Sequence, residues 1–358
     1  MSIIQAQRQL SVYRSCSVRN VSTTSSKPER VYRHPRLKLV AACGAAGLSL
    51  AAYFFSLRES RSTSTRIELL PLSQFTPATL TSSENSGPNT KLLTLSIPQH
   101  LLPPPSSCDL DPIWSVYIKD DDIQVERPYT PLEGIDEHGR MSFWIKKYET
   151  GEVSRWLHSK HVGDTIEIRG QIKTWIWKDN TWDEIVLISG GTGITPFYQL
   201  LNNILNRTPS NSNSKTHFTL FHSSRIPSEL PPPSMLRTLG HFAEKQPDRF
   251  KMHLFVDSKD MSTNISVPSQ KLQVGIISKS AIMRSLGLDA SNSWWQRLYK
   301  RISTSNSAQL DHKILFLVCG PDQMIAAIAG PYGRNRSQGE VGGILGELGY
   351  TSSQVRKL

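Results

Sequence analysis

Ser189-Gly190-Gly191-Thr192-Gly193-Ile194-Thr195-Pro196 is a glycine-rich turn with a different kind of sequence on each side. Residues 184–189 (EIVLIS) run apolar without alternation, the pattern of a strand covered on both faces in a parallel sheet. Residues 196–205 (PFYQLLNNIL) carry apolar side chains at helical spacing. Strand, glycine turn and helix make the context in which backbone N–H groups meet a phosphate at a helix N-terminus. The spacing is not GxGxxG, and no Gly-Lys-Ser/Thr follows as in a Walker loop. A purely structural turn has the same local sequence, so the surroundings decide.

Downstream, residues 217–222 (HFTLFH), 250–256 (FKMHLFV) and 313–318 (KILFLV) repeat the buried-strand look. Their alternation with helical or Pro/Ser-rich connections predicts an α/β doubly wound domain over 181–358. A long polar connection, 257–311, interrupts it. The connection holds Trp294-Trp295 with Arg297, Lys300 and Arg301, either a partner surface or a packed surface helix. Upstream, residues 67–180 read as β: short apolar runs at 91–97, 113–118, 141–147 and 165–169, broken by Pro, Gly and Asn. Several short strands without a convincing helix predict a small antiparallel barrel.

The 358 residues and 8 Trp are enough for two cores. Of the formal net charge of +11, residues 1–36 supply +6, from seven basic side chains against Glu29. The remaining +5 is no nucleic-acid footprint. Arg- and Ser-rich and poor in acids, 1–36 reads as a mitochondrial targeting segment. Segment 37–57 follows, in which 39–57 (LVAACGAAGLSLAAYFFSL) has no charge and is long enough to cross a bilayer core, so an N-terminal transmembrane helix is expected. Residues 58–66 make a polar tether. The four cysteines, Cys16, Cys43, Cys108 and Cys319, show no CxxC or metal-ligand spacing, and no CxxCH marks an attached haem.

Three motifs remain, in order: Arg127-Pro128-Tyr129-Thr130-Pro131-Leu132, Gly151-Glu152-Val153-Ser154-Arg155-Trp156-Leu157, and Cys319-Gly320-Pro321-Asp322. An arginine makes paired hydrogen bonds to phosphate, and a phenol offers an apolar face with a polar tip. A Gly-led helix start offers free N–H groups, although Ser154 also suits a plain N-cap. With the glycine-rich turn, these motifs resemble the ferredoxin–NADP reductase superfamily, its cytochrome b5 reductase branch being nearest. The resemblance covers residues 67–358. It implies an antiparallel, Greek-key β-barrel that binds FAD, followed by the NAD(P)H-binding doubly wound domain.

Carried over position by position, the resemblance gives Arg127 to the flavin pyrophosphate and Tyr129 and Thr130 to the ribityl chain and ring. Gly151, Val153 and Ser154 supply the second flavin segment; the family often has Lys at Val153, so the backbone is expected to serve there. Gly191, Thr192 and Gly193 admit the nicotinamide nucleotide, and Thr195 approaches the flavin. Cys319, with Gly320, Pro321 and Met324, borders the place where hydride leaves the nicotinamide. Arg225, after the strand ending in His222, stands where a 2′-phosphate would lie and leaves NADH against NADPH open.

Two departures matter, one being that the 257–311 connection is longer than in ordinary cytochrome b5 reductases. The family commonly ends in an aromatic residue over the flavin, whereas this chain ends in Leu358. Anchor, reductase body and aliphatic end together resemble the fungal mitochondrial flavoproteins that serve cytochrome c import and haem attachment. That implies electrons delivered to haem, with cytochrome c haem lyase or apocytochrome c as partner, from a body facing the intermembrane space at the mitochondrial inner membrane. Two alternatives stand beside it: a reductase of a small haem protein of the b5 kind, and a non-catalytic assembly scaffold that keeps the fold.

Overall fold

The computed structural model describes residues 70–102, 111–206, 215–258, 272–287 and 312–358. The expected targeting segment (1–36), anchor (37–57) and tether (58–66) lie outside the described residues. So do Cys108, the Trp294-Trp295 cluster and most of the 257–311 connection. Among the described residues no helix is long and apolar enough to cross a membrane.

The first half consists of β1 (Thr76–Gly87), β2 (Thr90–Ser96), β3 (Ser115–Lys119), β4 (Glu126–Tyr129), β5 (Arg140–Lys146), α1 (Glu152–Ser159) and β6 (Thr165–Ile172). The strands form one antiparallel sheet in the order β4-β3-β6-β1-β2-β5. Beyond β4, the Leu132 N–H donates to the Ser142 carbonyl of β5 at 2.8 Å, drawing the two outer strands together. The sheet thus curls around Leu80, Leu93, Leu95, Val116, Phe143 and Ile166, and α1 adds Val153 and Leu157 to that core. The sequence reading passed over β1 because most of its side chains are Ser, Thr or Asn. Its inward positions Thr76, Ala78 and Leu80 nevertheless alternate with exposed ones, the period of a half-buried strand.

The second half consists of β7 (Glu184–Gly190), α2 (Thr195–Leu205), β8 (His217–Ser224), α3 (Pro233–Lys245), β9 (Phe250–Val256), β10 (Leu272–Val274), α4 (Lys279–Ser285), β11 (Ile314–Cys319), α5 (Asp322–Ala329), α6 (Gly343–Glu347) and β12 (Val355–Lys357). All its strands are parallel, in the order β10-β9-β8-β7-β11-β12. On β7, Ile185 and Leu187 pack with Phe197, Leu200 and Leu201 of α2. Val186 and Ile188 face the other way, towards Phe316, Ile325 and Ile328. Both faces are covered, which is why 184–189 shows no alternation. Each such side chain contributes about 1.5–3 kcal/mol on leaving water.

The two halves share a core. Ile113, Leu132 and Trp144 of the antiparallel half pack in the same cluster as α2 and α3. Polar contacts cross the same seam: Tyr198 Oη donates to Glu133 Oε1 at 3.0 Å, and Lys146 Nζ pairs with Glu229 at 3.2 Å.

Candidate functional site

Strand order fixes where a ligand fits. From β7 the chain moves to β8 on one side and later to β11 on the other, so the sheet direction switches between β7 and β11. A crevice opens beyond the carboxyl ends of parallel strands at such a point. Ser189 and Cys319 are register partners there, so the glycine-rich turn and Cys319-Gly320-Pro321 meet side by side.

They meet backbone to backbone. A Cβ on Gly193 would collide with the Cys319 carbonyl and come within 2.8 Å of Gly320 Cα. One on Gly190 would lie 2.6 Å from Met324 Sδ, and one on Gly320 would lie 3.0 Å from the Gly190 nitrogen. Met324 therefore backs both turns. Gly191 differs: its φ is +53° and a Cβ there would meet nothing within 4 Å, so this glycine borders open space. Thr192 follows in the same short 3-10 turn, Gly191–Ile194. Thr195 Oγ1 donates to the Thr192 carbonyl at 3.1 Å, which ties the turn to the first residue of α2. Burial pushes the Cys319 thiol up to about 12, so it stays protonated and serves as a neutral wall.

In the antiparallel half, Arg127 is exposed on β4 and its guanidinium donates to the neighbouring Glu126 carbonyl at 2.9 Å. It is free to turn to an anion. Tyr129 packs against the barrel core, and burial pushes its phenol well above the ordinary range, so it remains a neutral donor. Thr130 Oγ1 lies 2.8 Å from Ser115 Oγ.

In the second segment the fold itself occupies the side chains. Val153 is 1% exposed and its side chain belongs to the barrel core, so only its N–H can face a ligand. Ser154 Oγ donates to the Gly151 carbonyl at 2.9 Å and accepts from Tyr148 N–H at 3.2 Å. Its hydroxyl closes the turn into α1. What α1 offers is the unpaired N–H groups of its first turn, with the positive end of its dipole.

Arg225 is also differently occupied. Its Nε donates to Glu229 Oε2 at 3.0 Å and its Nη2 to Glu229 Oε1, a paired clamp on one carboxylate. Burial works to raise the Glu229 carboxyl, but Arg225 and Lys146 hold it below the usual range.

Several residues escaped the sequence reading. Tyr148, half exposed, lies close enough to influence the Tyr129 phenol. Gln199 is the amide in a wholly buried stretch of α2, Pro196–Leu201, and a polar side chain among apolar and aromatic ones was its signal. Its Oε1 accepts from Trp114 N–H and its Nε2 donates to the Pro131 carbonyl, both at 2.8 Å. His222 is a fully buried histidine within β8. Its Nδ1 lies 2.9 Å from Ser189 Oγ and its Nε2 3.2 Å from Ser224 Oγ, and Ser224 donates to the Glu229 carbonyl at 3.1 Å. Ser189 Oγ also donates to the Phe221 carbonyl at 3.3 Å, so each serine hydroxyl sits between the imidazole and a backbone carbonyl. This relay runs beneath the crevice from the glycine-rich strand to the Glu229–Arg225 clamp.

The donor set fits a flavin dinucleotide on one side of the seam: a free guanidinium, a phenol and an open helix start. On the other side, the open ground at Gly191 beside Cys319 fits a second nucleotide. Matches to known families agree. An oxidoreductase FAD-binding domain matches residues 77–177, and a ferric reductase NAD-binding domain matches residues 182–329. An NADH-cytochrome b5 reductase 2 of Lodderomyces elongisporus is 31% identical over 342 residues, covering 94% of this chain and 99% of that protein. Its namesake from Scheffersomyces stipitis is 34% identical over 233 residues, 65% of this chain and 66% of that protein. The matched region thus spans about two thirds of the length of one of these relatives and nearly all of the other. Among solved structures, the cytochrome b5 reductase domain of Ulva prolifera nitrate reductase superposes with a TM-score of 0.56 at 19% identity, over 81% of this chain and all of that one, which shows the shared fold.

Proposed function

We propose, from the premise that this chain belongs to the NADH–cytochrome b5 reductase family, that it passes electrons from NADH through FAD to haem iron. The chain is an oxidoreductase with an FAD-binding and an NAD-binding domain. Bound FAD would supply the step that converts a two-electron hydride into single electrons for iron. The residues do the rest. Arg127 and the α1 N-terminus hold the dinucleotide, Tyr129 and Thr130 flank it, and Gly191 to Gly193 admit the nicotinamide beside Cys319.

One observation carries this reading: Gln199 fastens the segment after the Arg127–Tyr129–Thr130 motif to the helix that opens at Thr195. Both motifs therefore face one seam. NADH is favoured over NADPH because Arg225, the cation nearest in sequence to the expected 2′-phosphate position, is already clamped by Glu229.

The acceptor proposed is haem awaiting attachment to cytochrome c, with the haem lyase or apocytochrome c as partner, at the mitochondrial inner membrane and on its intermembrane face. The basic segment 1–36 and the uncharged run 39–57 support it. The names of the relatives favour a second acceptor, a small haem protein of the b5 kind. The test uses residues 66–358, a compact unit. Its visible spectrum is recorded while NADH, then ferric haem or cytochrome b5, is added without oxygen. Flavin bands that bleach with NADH and return as ferrous haem forms bear the proposal out. Return only with cytochrome b5 selects the second acceptor. A colourless protein that binds no flavin overturns both.

A further inference from the structure

Among the described residues, β12 is the edge strand of its sheet and pairs with β11 alone. Its outer side is closed by one side chain: Lys357 N–H donates to Gln338 Oε1, and Gln338 Nε2 donates to the Lys357 carbonyl, both at 2.8 Å. The Lys357 side chain points inward and is 3% exposed. Its Nζ donates to the Pro331 carbonyl at 2.6 Å and the Glu340 carbonyl at 3.1 Å. Burial lowers the pKa of this ammonium, and among the described residues no carboxylate pairs with it to offset the cost. Burying an ammonium against two neutral carbonyls is expensive where an aliphatic side chain would simply pack.

The ammonium does hold something in place. Its two carbonyl partners bracket a loop from which Tyr332 Oη donates to the terminal Leu358 oxygen at 2.7 Å. Leu358 N–H donates to the Val318 carbonyl at 2.9 Å, and Leu358 and Cys319 pack against the same core cluster. The Tyr332 phenol, pushed up to about 12 chiefly by burial, also lies within the electrostatic reach of Cys319. We propose that Lys357 is a positioning residue: its buried ammonium pins the Pro331–Glu340 loop to the last strand and thereby fixes Leu358 beside Cys319. The role in the reaction rests on the reading that Cys319 borders the nicotinamide.

Lys357→Met keeps the stem and removes the charge. The full chain in detergent is treated with a carboxypeptidase, and loss of Leu358 is followed by intact mass. The wild type should keep Leu358, whereas the variant should lose it about tenfold faster or more, the equivalent of one charge-assisted hydrogen bond. In steady-state turnover with NADH, kcat should fall several-fold with little change in KM, as expected of a residue that positions the reacting end alone. Equal protection in variant and wild type overturns the proposal, as does release of Leu358 with kcat unmoved. Should Lys357→Met fail to fold, Gln338→Ala and Tyr332→Phe each remove bonds from the same latch, and protection undiminished in both is equally fatal. Proteolysis does not depend on flavin, so clipping as expected in a chain that NADH does not bleach would sink the redox reading and leave the latch standing.

Discussion

Gln199 Nε2 donates to the Pro131 carbonyl at 2.8 Å, joining the first residue beyond the Arg127–Thr130 motif to the helix that starts at Thr195. The same amide accepts from Trp114 N–H, so one buried side chain satisfies two backbone groups of the other half. Gln199→Leu would strand both, at about 1–3 kcal/mol each. The expected outcome is a lower unfolding midpoint together with weaker FAD retention, read from denaturant titration and from flavin absorbance per chain after gel filtration. Unchanged flavin retention would mean that the seam is set by packing alone.

Arg127 is exposed, and among the described residues its guanidinium is hydrogen-bonded to its neighbour's carbonyl alone. Arg127→Ala should therefore leave the stability of the flavin-free protein unchanged while weakening FAD about thirtyfold, the equivalent of about 2 kcal/mol for a charge-assisted phosphate contact. Fluorescence titration of the stripped protein with FAD checks both halves of the statement.

Glu229→Gln should loosen the clamp on Arg225 and raise the ratio of NADPH to NADH turnover about tenfold, as expected of a guanidinium released to a phosphate. The ratio within one variant is insensitive to any loss of stability. A ratio that stays put would remove Arg225 from the nucleotide site.

Gly193 and Gly191 should respond differently to alanine. At Gly193 the new methyl would strike the Cys319 carbonyl and force the two turns apart, at about 1–3 kcal/mol and with a marked loss of hydride transfer rate. At Gly191 there is open space, and the cost is only that of a positive φ, about 1 kcal/mol. Stopped-flow bleaching of the flavin by NADH, beside thermal midpoints, separates the two.

Burial lowers the His222 pKa from 6.5 to about 3. The unfolded chain therefore binds the extra proton first, and stability rises with pH across that window and is lost as pH falls through it. The slope from this group approaches about 1.4 kcal/mol per pH unit. His222→Gln should flatten the dependence of the urea midpoint between about pH 5 and 7, where the wild type climbs.

The sequence by itself determined the order of elements wherever burial is one-sided or complete. Residues 184–189 announced a central parallel strand because the side chains from Ile185 to Ser189 are all buried, and 196–205 announced a helix by its apolar spacing. The FAD and nicotinamide motifs were legible because phosphate binding needs particular residue types close together in the chain. Only the tertiary structure decided which of their atoms are available. Val153 faces the core, Ser154 spends its hydroxyl on its own turn, and Arg225 is held by Glu229. It also decided the contacts that join distant stretches: Gln199 with Pro131, His222 with Ser189, and Lys357 with Pro331 and Glu340. A buried hydrogen bond depends on distance in space, and the chain leaves no local mark of it beyond a polar residue where an apolar one was expected.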